Sequence, residues 1–210
     1  MTATGEPPLS DDCGPTPTAA KNELRRRLSA ARRAASPQQR AEWAAALAVA
    51  TGQLAAQTGG PVCAYLPIGS EPGSVAGLDA LRAAGHEVLL PVVPKVAGPL
   101  EWARYEGPGS LTEGPLGLRE PTTDRQGVTA ITKARLVLVP ALAVDRRGVR
   151  LGRGGGYYDR TLPLARADVV VAAMLHDDEL VDELPTEPHD VRVSAVVRPA
   201  TGVTLLGRDG

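Results

Sequence analysis

The chain has 210 residues, a formal net charge of -1, 43% hydrophobic and 22% charged residues, and no Phe. That length fits one larger domain or two small ones with material for a real core, and near-neutral charge argues against a nucleic-acid binder, whose footprint is a basic domain. No apolar run approaches the roughly 20 residues that span a bilayer, the start of the chain lacks the apolar core of a signal peptide, and the sparse His86, His176, His189, Cys13 and Cys63 suggest neither a zinc site nor a disulfide framework but free thiols in a cytoplasmic setting.

Residues 1–18 carry Pro, Gly, Thr and acids with almost no apolar residues, the composition of a disordered tail; residues 19–210 read as one domain. From Ala19 the pattern is helical, with Leu24, Leu28 and Ala31 on one face and Lys21 and Arg25, four apart, on another. The plain reading of this basic run is a solvated face; the functional one has Lys21 and Arg25 reaching a phosphate. Ser36-Pro37-Gln38-Gln39 predicts a capped helix start. The helix buries Trp43, Leu47, Ala50 and Leu54 and ends at Gly59-Gly60.

Val62–Leu66 reads as a buried strand running into a loop that holds Glu71. In an open α/β sheet such loops carry ligands, so Glu71 is either a solvated turn acid or a hydrogen-bond acceptor for a substrate. A helix from Val75 to Ala84 and a strand over 86–93 complete a βαβ unit, hence a parallel sheet there. The Gly/Pro-rich stretch from Pro94 to Thr129 includes Leu100–Tyr105, which alternates like an edge strand, and Gly117-Leu-Arg-Glu-Pro121, which reads as a turn. Trp102 could stack on a flat ring or simply cover the core. Leu136–Val139 is a buried strand. After the next loop come a helix over 157–165, a strand over 169–174 and two short strands, 193–197 and 203–206. The fold class is α/β, a single open, largely parallel sheet flanked by helices.

The chain is organised around Val149–Arg160, V-R-L-G-R-G-G-G-Y-Y-D-R. Gly152, Gly154, Gly155 and Gly156 permit positive φ and close approach of backbone to a ligand, and successive N–H groups in such a loop form an anion-binding concavity. The order strand, loop, helix aims N–H groups and a helix start at an anion; Arg150 and Arg153 add forked donors suited to phosphate. A surface turn is the plain alternative, but a turn needs neither two arginines nor Tyr157, Tyr158 and Asp159. There is no P-loop, and the dinucleotide fingerprint fails because Tyr157 stands where its third glycine belongs.

V-P-A-L-A-V-D-R-R-G-V-R-L-G-R-G-G-G-Y-Y-D-R, Val139–Arg160, resembles the 5-formyltetrahydrofolate cyclo-ligase family, also called methenyltetrahydrofolate synthetase. Weaker marks fall in the same order: Lys21-x-x-x-Arg25, Tyr65-Leu-Pro-x-x-x-Glu71, the Trp102 segment leading to Gly117-Leu-Arg-Glu-Pro121, and Leu184-Pro-x-x-x-x-Asp190. The resemblance implies a fold similar to the NagB/RpiA/CoA-transferase-like fold. It further implies a cytoplasmic, monomeric, ATP- and Mg-dependent enzyme that converts 5-formyltetrahydrofolate to 5,10-methenyltetrahydrofolate, with no nucleic-acid or membrane partner.

By that resemblance Lys21, Arg25 and the loop Arg150, Leu151, Gly152, Arg153, Gly154, Gly155, Gly156, Tyr157 and Tyr158 would hold ATP. Arg153, Lys21 and Tyr158 would act in catalysis. Leu66, Glu71, Trp102, Arg153, Tyr157 and Tyr158 would contact the folate, and Asp159 and Asp190 would hold Mg2+. Relatives often carry lysine where this chain has Gly155, which leaves Arg153 with more of the charge. Two other readings stand beside it: a non-catalytic nucleotide- or folate-binding member of the same fold, and a sugar-phosphate enzyme, which would need a His-carboxylate pair that the sequence does not offer.

Overall fold

The computed structural model describes residues 17–114, 117–187 and 190–207. The expected tail, apart from its last two residues, lies outside them, as do Cys13 and His189. Helix α1 (Pro17–Ala34) starts two residues earlier than expected, with Pro17 in the first turn, where a missing N–H costs nothing. Helix α2 (Pro37–Thr58) begins as the sequence predicts: the Ser36 hydroxyl accepts the Gln39 N–H at 3.1 Å, and Gly59, at φ 64°, ends it.

Along the chain follow β1 (Val62–Cys63), α3 (Val75–Ala83), β2 (Val88–Val92), β3 (Glu101–Arg104), β4 (Leu111–Glu113) and β5 (Arg119–Pro121). Next come β6 (Leu136–Pro140), β7 (Ala143–Asp145), β8 (Arg150–Leu151) and α4 (Tyr157–Thr161). The last are β9 (Val170–Met174), β10 (Leu180–Val181), β11 (Ala195–Arg198) and β12 (Gly202–Leu205). Seven strands form the main sheet in the order β12-β11-β9-β6-β1-β2-β3. Its interior pairs are parallel, and both edge strands are antiparallel to their neighbours.

Period-2 alternation sends side chains to two cores. On one face Leu136, Leu138 and Ala172 meet Leu47 and Leu54 of α2 and Leu78 and Leu81 of α3. On the other, Val137, Val139 and Val171 pack with Trp102, Ile131 and Leu162. Removing a leucine such as Leu47 to alanine would cost about 2–5 kcal/mol.

The open, largely parallel sheet flanked by helices is as expected, and two small sheets, β10-β7-β8 and β4-β5, stand beside it. Two expectations are corrected. Gly117–Pro121 is not simply a turn, because Arg119–Pro121 pairs antiparallel with Leu111–Glu113. The helix after the glycine loop stops at Thr161 and passes into a 3-10 turn, Leu162–Leu164, since Pro163 has no N–H with which to continue it.

The small β10-β7-β8 sheet positions the site. Its apolar face, Ala143 and Leu151 with neighbouring Leu142 and Val149, packs against Leu28 of α1 and Leu184 in a third core. That packing lays the first half of α1, with Lys21 and Arg25, over the segment that leaves β8. Arg32, deeper on the same helix, is buried. Its Nε and Nη2 donate to Glu179 at 2.6 and 2.7 Å, and Nη2 also reaches the Ala141 carbonyl at 2.5 Å.

Candidate active site

The carboxyl ends of the interior strands, the glycine loop and α1 enclose a cleft of about 520 Å³. At one end lie Lys21, Arg25, Arg150, Arg153, Asp159 and Asp190. The remaining walls include Leu66, Leu90, Pro91, Val93, Leu100 and Leu118, with Arg119 and Glu120 beside them. The cleft thus combines a cluster of charged groups with a largely apolar wall. A second hollow opens beside the glycine loop, lined by Arg25, Arg32, Arg33, Arg40 and Arg153 and by no carboxylate. Local potential there is positive although the whole chain is near neutral.

Each charged group at the first end is held. Lys21 Nζ donates to Glu187 Oε2 at 2.7 Å and Asp190 Oδ2 at 2.9 Å. Burial alone would pull the Lys21 pKa down, but these two hydrogen bonds and their charges raise it, so the ammonium stays charged. Arg25 Nε donates to the Gly152 carbonyl at 2.9 Å and so ties the glycine loop to α1. Arg150 donates to Asp159 at 2.7 Å and places its guanidinium carbon 5.6 Å from the Tyr158 ring centre. Arg160 lies over Tyr157 and donates to the Gly155 carbonyl at 3.0 Å.

The loop itself needs its glycines. Gly154 and Gly156 hold φ of 96° and 64°, the left-handed region that costs other residues strain. A side chain on Gly152 would start 2.7 Å from Arg150 Nη1. Because α4 has only five residues, its dipole is small. Anion binding here would rest on loop N–H groups and guanidinium forks rather than on a helix end.

Tyr158 lines the cleft, yet its hydroxyl oxygen is buried and has no hydrogen-bond partner. Burial drives its pKa well above the usual phenol range; Arg150 pulls it down, while Glu71 and Cys63 push it up. Burial therefore keeps the phenol in its neutral form. Glu71 is also held: its Oε2 accepts the Ile68 N–H at 2.9 Å and its Oε1 lies 2.9 Å from Arg153 Nε.

Of the residues expected at the site, Leu66, Glu71, Lys21, Arg25, Asp159, Asp190 and all of Arg150–Tyr158 line this one cleft. Trp102 does not. It is 0% exposed and sits in the core between β3 and the turn carrying Ile131. Edge strand β3 is covered on that face, so its aromatic side chain turned inward rather than toward the cleft. Sequence reasoning gave no role to Glu187, Glu120 or Arg32, which also line it. The spacing Glu187-x-x-Asp190 was a signal available for the first.

Residues 17–199 match the model of the 5-formyltetrahydrofolate cyclo-ligase family. The chain belongs to the 5-formyltetrahydrofolate cyclo-ligase family. A cyclo-ligase of Mycolicibacterium smegmatis is 51% identical over 153 residues, 71% of this chain and 78% of that protein. The Escherichia coli K12 cyclo-ligase is 34% identical over 141 residues, 66% of this chain and 78% of that protein. The solved 5,10-methenyltetrahydrofolate synthetase of Aquifex aeolicus superposes with a TM-score of 0.74 at 27% identity, covering 90% of this chain and 94% of that one. Among the described residues, no helix is long and apolar enough to cross a membrane.

Proposed function

We propose that this cyclo-ligase family member converts 5-formyltetrahydrofolate and ATP to 5,10-methenyltetrahydrofolate, ADP and phosphate through a phosphorylated formyl group. The observation that carries the reading is the convergence of Lys21, Arg25, Arg150 and Arg153 with the glycine loop in one cleft that Leu66, Leu90, Pro91, Val93 and Leu100 also line. A formamide is a poor electrophile because its nitrogen lone pair is shared with the carbonyl. Transfer of the ATP γ-phosphoryl to the formyl oxygen makes that oxygen a leaving group. Nitrogen 10 then bonds to the formyl carbon and the carbon–oxygen bond breaks. Phosphate leaves with that oxygen and the nitrogen 10 proton, and the product ring carries one positive charge.

Such chemistry asks for positioning and charge neutralisation rather than a protein nucleophile. Lys21 and Arg25 bind the phosphates, and loop N–H groups wrap them. Arg153, 60% exposed and paired with Glu71, swings to the transferring group. Tyr158 offers its unpartnered hydroxyl as a donor. Leu66 and Glu71 contact the pterin, with Tyr157 nearby.

Among the described residues no three His, Cys, Asp or Glu side chains gather as a metal cage. Two carboxylates beside a phosphate site suit magnesium, which takes one or two protein oxygens and completes its shell with phosphate and water. Asp159 and Asp190 would hold it, and when bound it would neutralise phosphate charge.

A formyl oxygen labelled with 18O tests the route. The label should appear in inorganic phosphate; label retained in folate or released to water would refute the phosphorylated formyl group.

A further inference from the structure

Glu120 lines the cleft on strand β5 and is only 7% exposed. Its Oε1 accepts the Val93 N–H at 2.8 Å. Gly114 backs it so closely that a side chain there would start 2.8 Å from the Glu120 carboxyl carbon. One hydrogen bond thus orients the group, in a cleft that Leu90, Pro91, Val93, Leu100 and Leu118 also line.

A buried carboxylate is costly unless a cation or several donors meet it. The other buried acids of the described chain obey this. Glu179 is forked to Arg32; Asp145 meets Arg147 and the N–H groups of Arg147, Val149 and Leu184. Glu71 has Arg153 and the Ile68 N–H. Glu120, with one backbone N–H, is the exception: among the described residues no cation pairs with it. Buried polar groups left short of partners call for an explanation.

We infer that Glu120 is a specificity-determining and catalytic carboxylate whose missing partner is the positive charge created on the folate at ring closure. The inference rests on the reaction proposed above. There the substrate ring system is neutral and the product is an amidinium, with one positive charge shared by the two nitrogens and the carbon between them. A fixed anion in an apolar wall costs nothing further to orient and strengthens its hold only as that charge appears, which is the requirement for lowering a barrier. Glu71 is less suited to this part, because the Arg153 cation already offsets its charge.

The test is Glu120→Gln, which keeps an acceptor for the Val93 N–H and the shape of the side chain while removing the charge. Turnover, the KM for 5-formyltetrahydrofolate and inhibition by the methenyl product are measured with the full chain and MgATP. Turnover should fall and the product Ki should weaken by ~10-fold or more, the loss of one hydrogen-bonded charge, while the KM for the neutral substrate moves no more than about 2-fold. Glu120→Asp, which retains the charge, should recover part of the product affinity. Equal loss of substrate and product affinity, or no change in either, overturns the inference. A wild-type protein that forms no methenyl product fails the underlying reaction instead, so the two failures are distinguishable.

Discussion

Arg153 Nε lies 2.9 Å from Glu71 Oε1, so the loop arginine assigned to phosphate and the carboxylate assigned to the pterin hold each other. The Glu71 side chain is 6% exposed and that of Arg153 60%. The pair thus ties an exposed cation to a nearly buried anion within the cleft. A folate that donates hydrogen bonds to Glu71 would weaken this tie where, on the proposed reaction, the γ-phosphoryl group would arrive.

Arg153→Ala should therefore slow turnover by ~10²–10³-fold, the usual cost of removing a preorganised charge stabiliser. Because Arg153 is also the cation that meets the nearly buried Glu71 carboxylate, the melting temperature should fall modestly as well. Steady-state kinetics beside a thermal melt checks both, and near-normal turnover would remove Arg153 from the site.

The Arg32–Glu179 pair is buried on both sides, 3% exposed each. Breaking it with Arg32→Met leaves Glu179 without its cation and should cost about 3–5 kcal/mol in urea unfolding. Replacing both by Met should return most of that loss. A single variant as stable as wild type would contradict the structure.

Trp102→Phe should leave the KM for folate within about 2-fold, because Trp102 faces the core and its indole nitrogen makes no hydrogen bond. Trp102→Ala should instead lower stability by about 3–5 kcal/mol. A large rise in KM for Trp102→Phe with unchanged stability would put the ring back in the cleft.

His176 packs against Trp43, ring centres 4.4 Å apart. Burial lowers its pKa from the ordinary 6.5; Glu179 and Asp178 oppose that shift and Arg32 reinforces it. For a depressed pKa the stabilising contribution is present above 6.5 and is lost as pH falls from there through the folded-state value. Denaturant midpoints should thus decline over that window in wild type and decline less in His176→Gln. Parallel profiles would show that His176 titrates normally.

Much of the fold was legible because its signals are local. Leu136–Val139 and Val169–Met174 are apolar on both faces, as interior parallel strands must be. The Ser36 cap and Gly59 stop bracket α2 within a residue or so. The pairing of β7 with β8 and β10 was not legible, since strands of two or three residues carry no period, and β10 joins from far along the chain, Leu180 beside Val144. The site divided in the same way. The glycine loop and its arginines are contiguous and could be read directly. The grip of Arg25 on Gly152 and of Arg32 on Glu179 spans 127 and 147 residues, so only the folded chain reveals it. Trp102 shows the limit most plainly: alternation located its strand, but not which face other residues cover.

The most direct measurement is the absorbance of the methenyl product when purified protein meets 5-formyltetrahydrofolate with and without MgATP. The account predicts rising absorbance with ATP, one ADP formed per methenyl group, and a flat trace without nucleotide. A folded protein giving no product, or equal product in the absence of ATP, would contradict it.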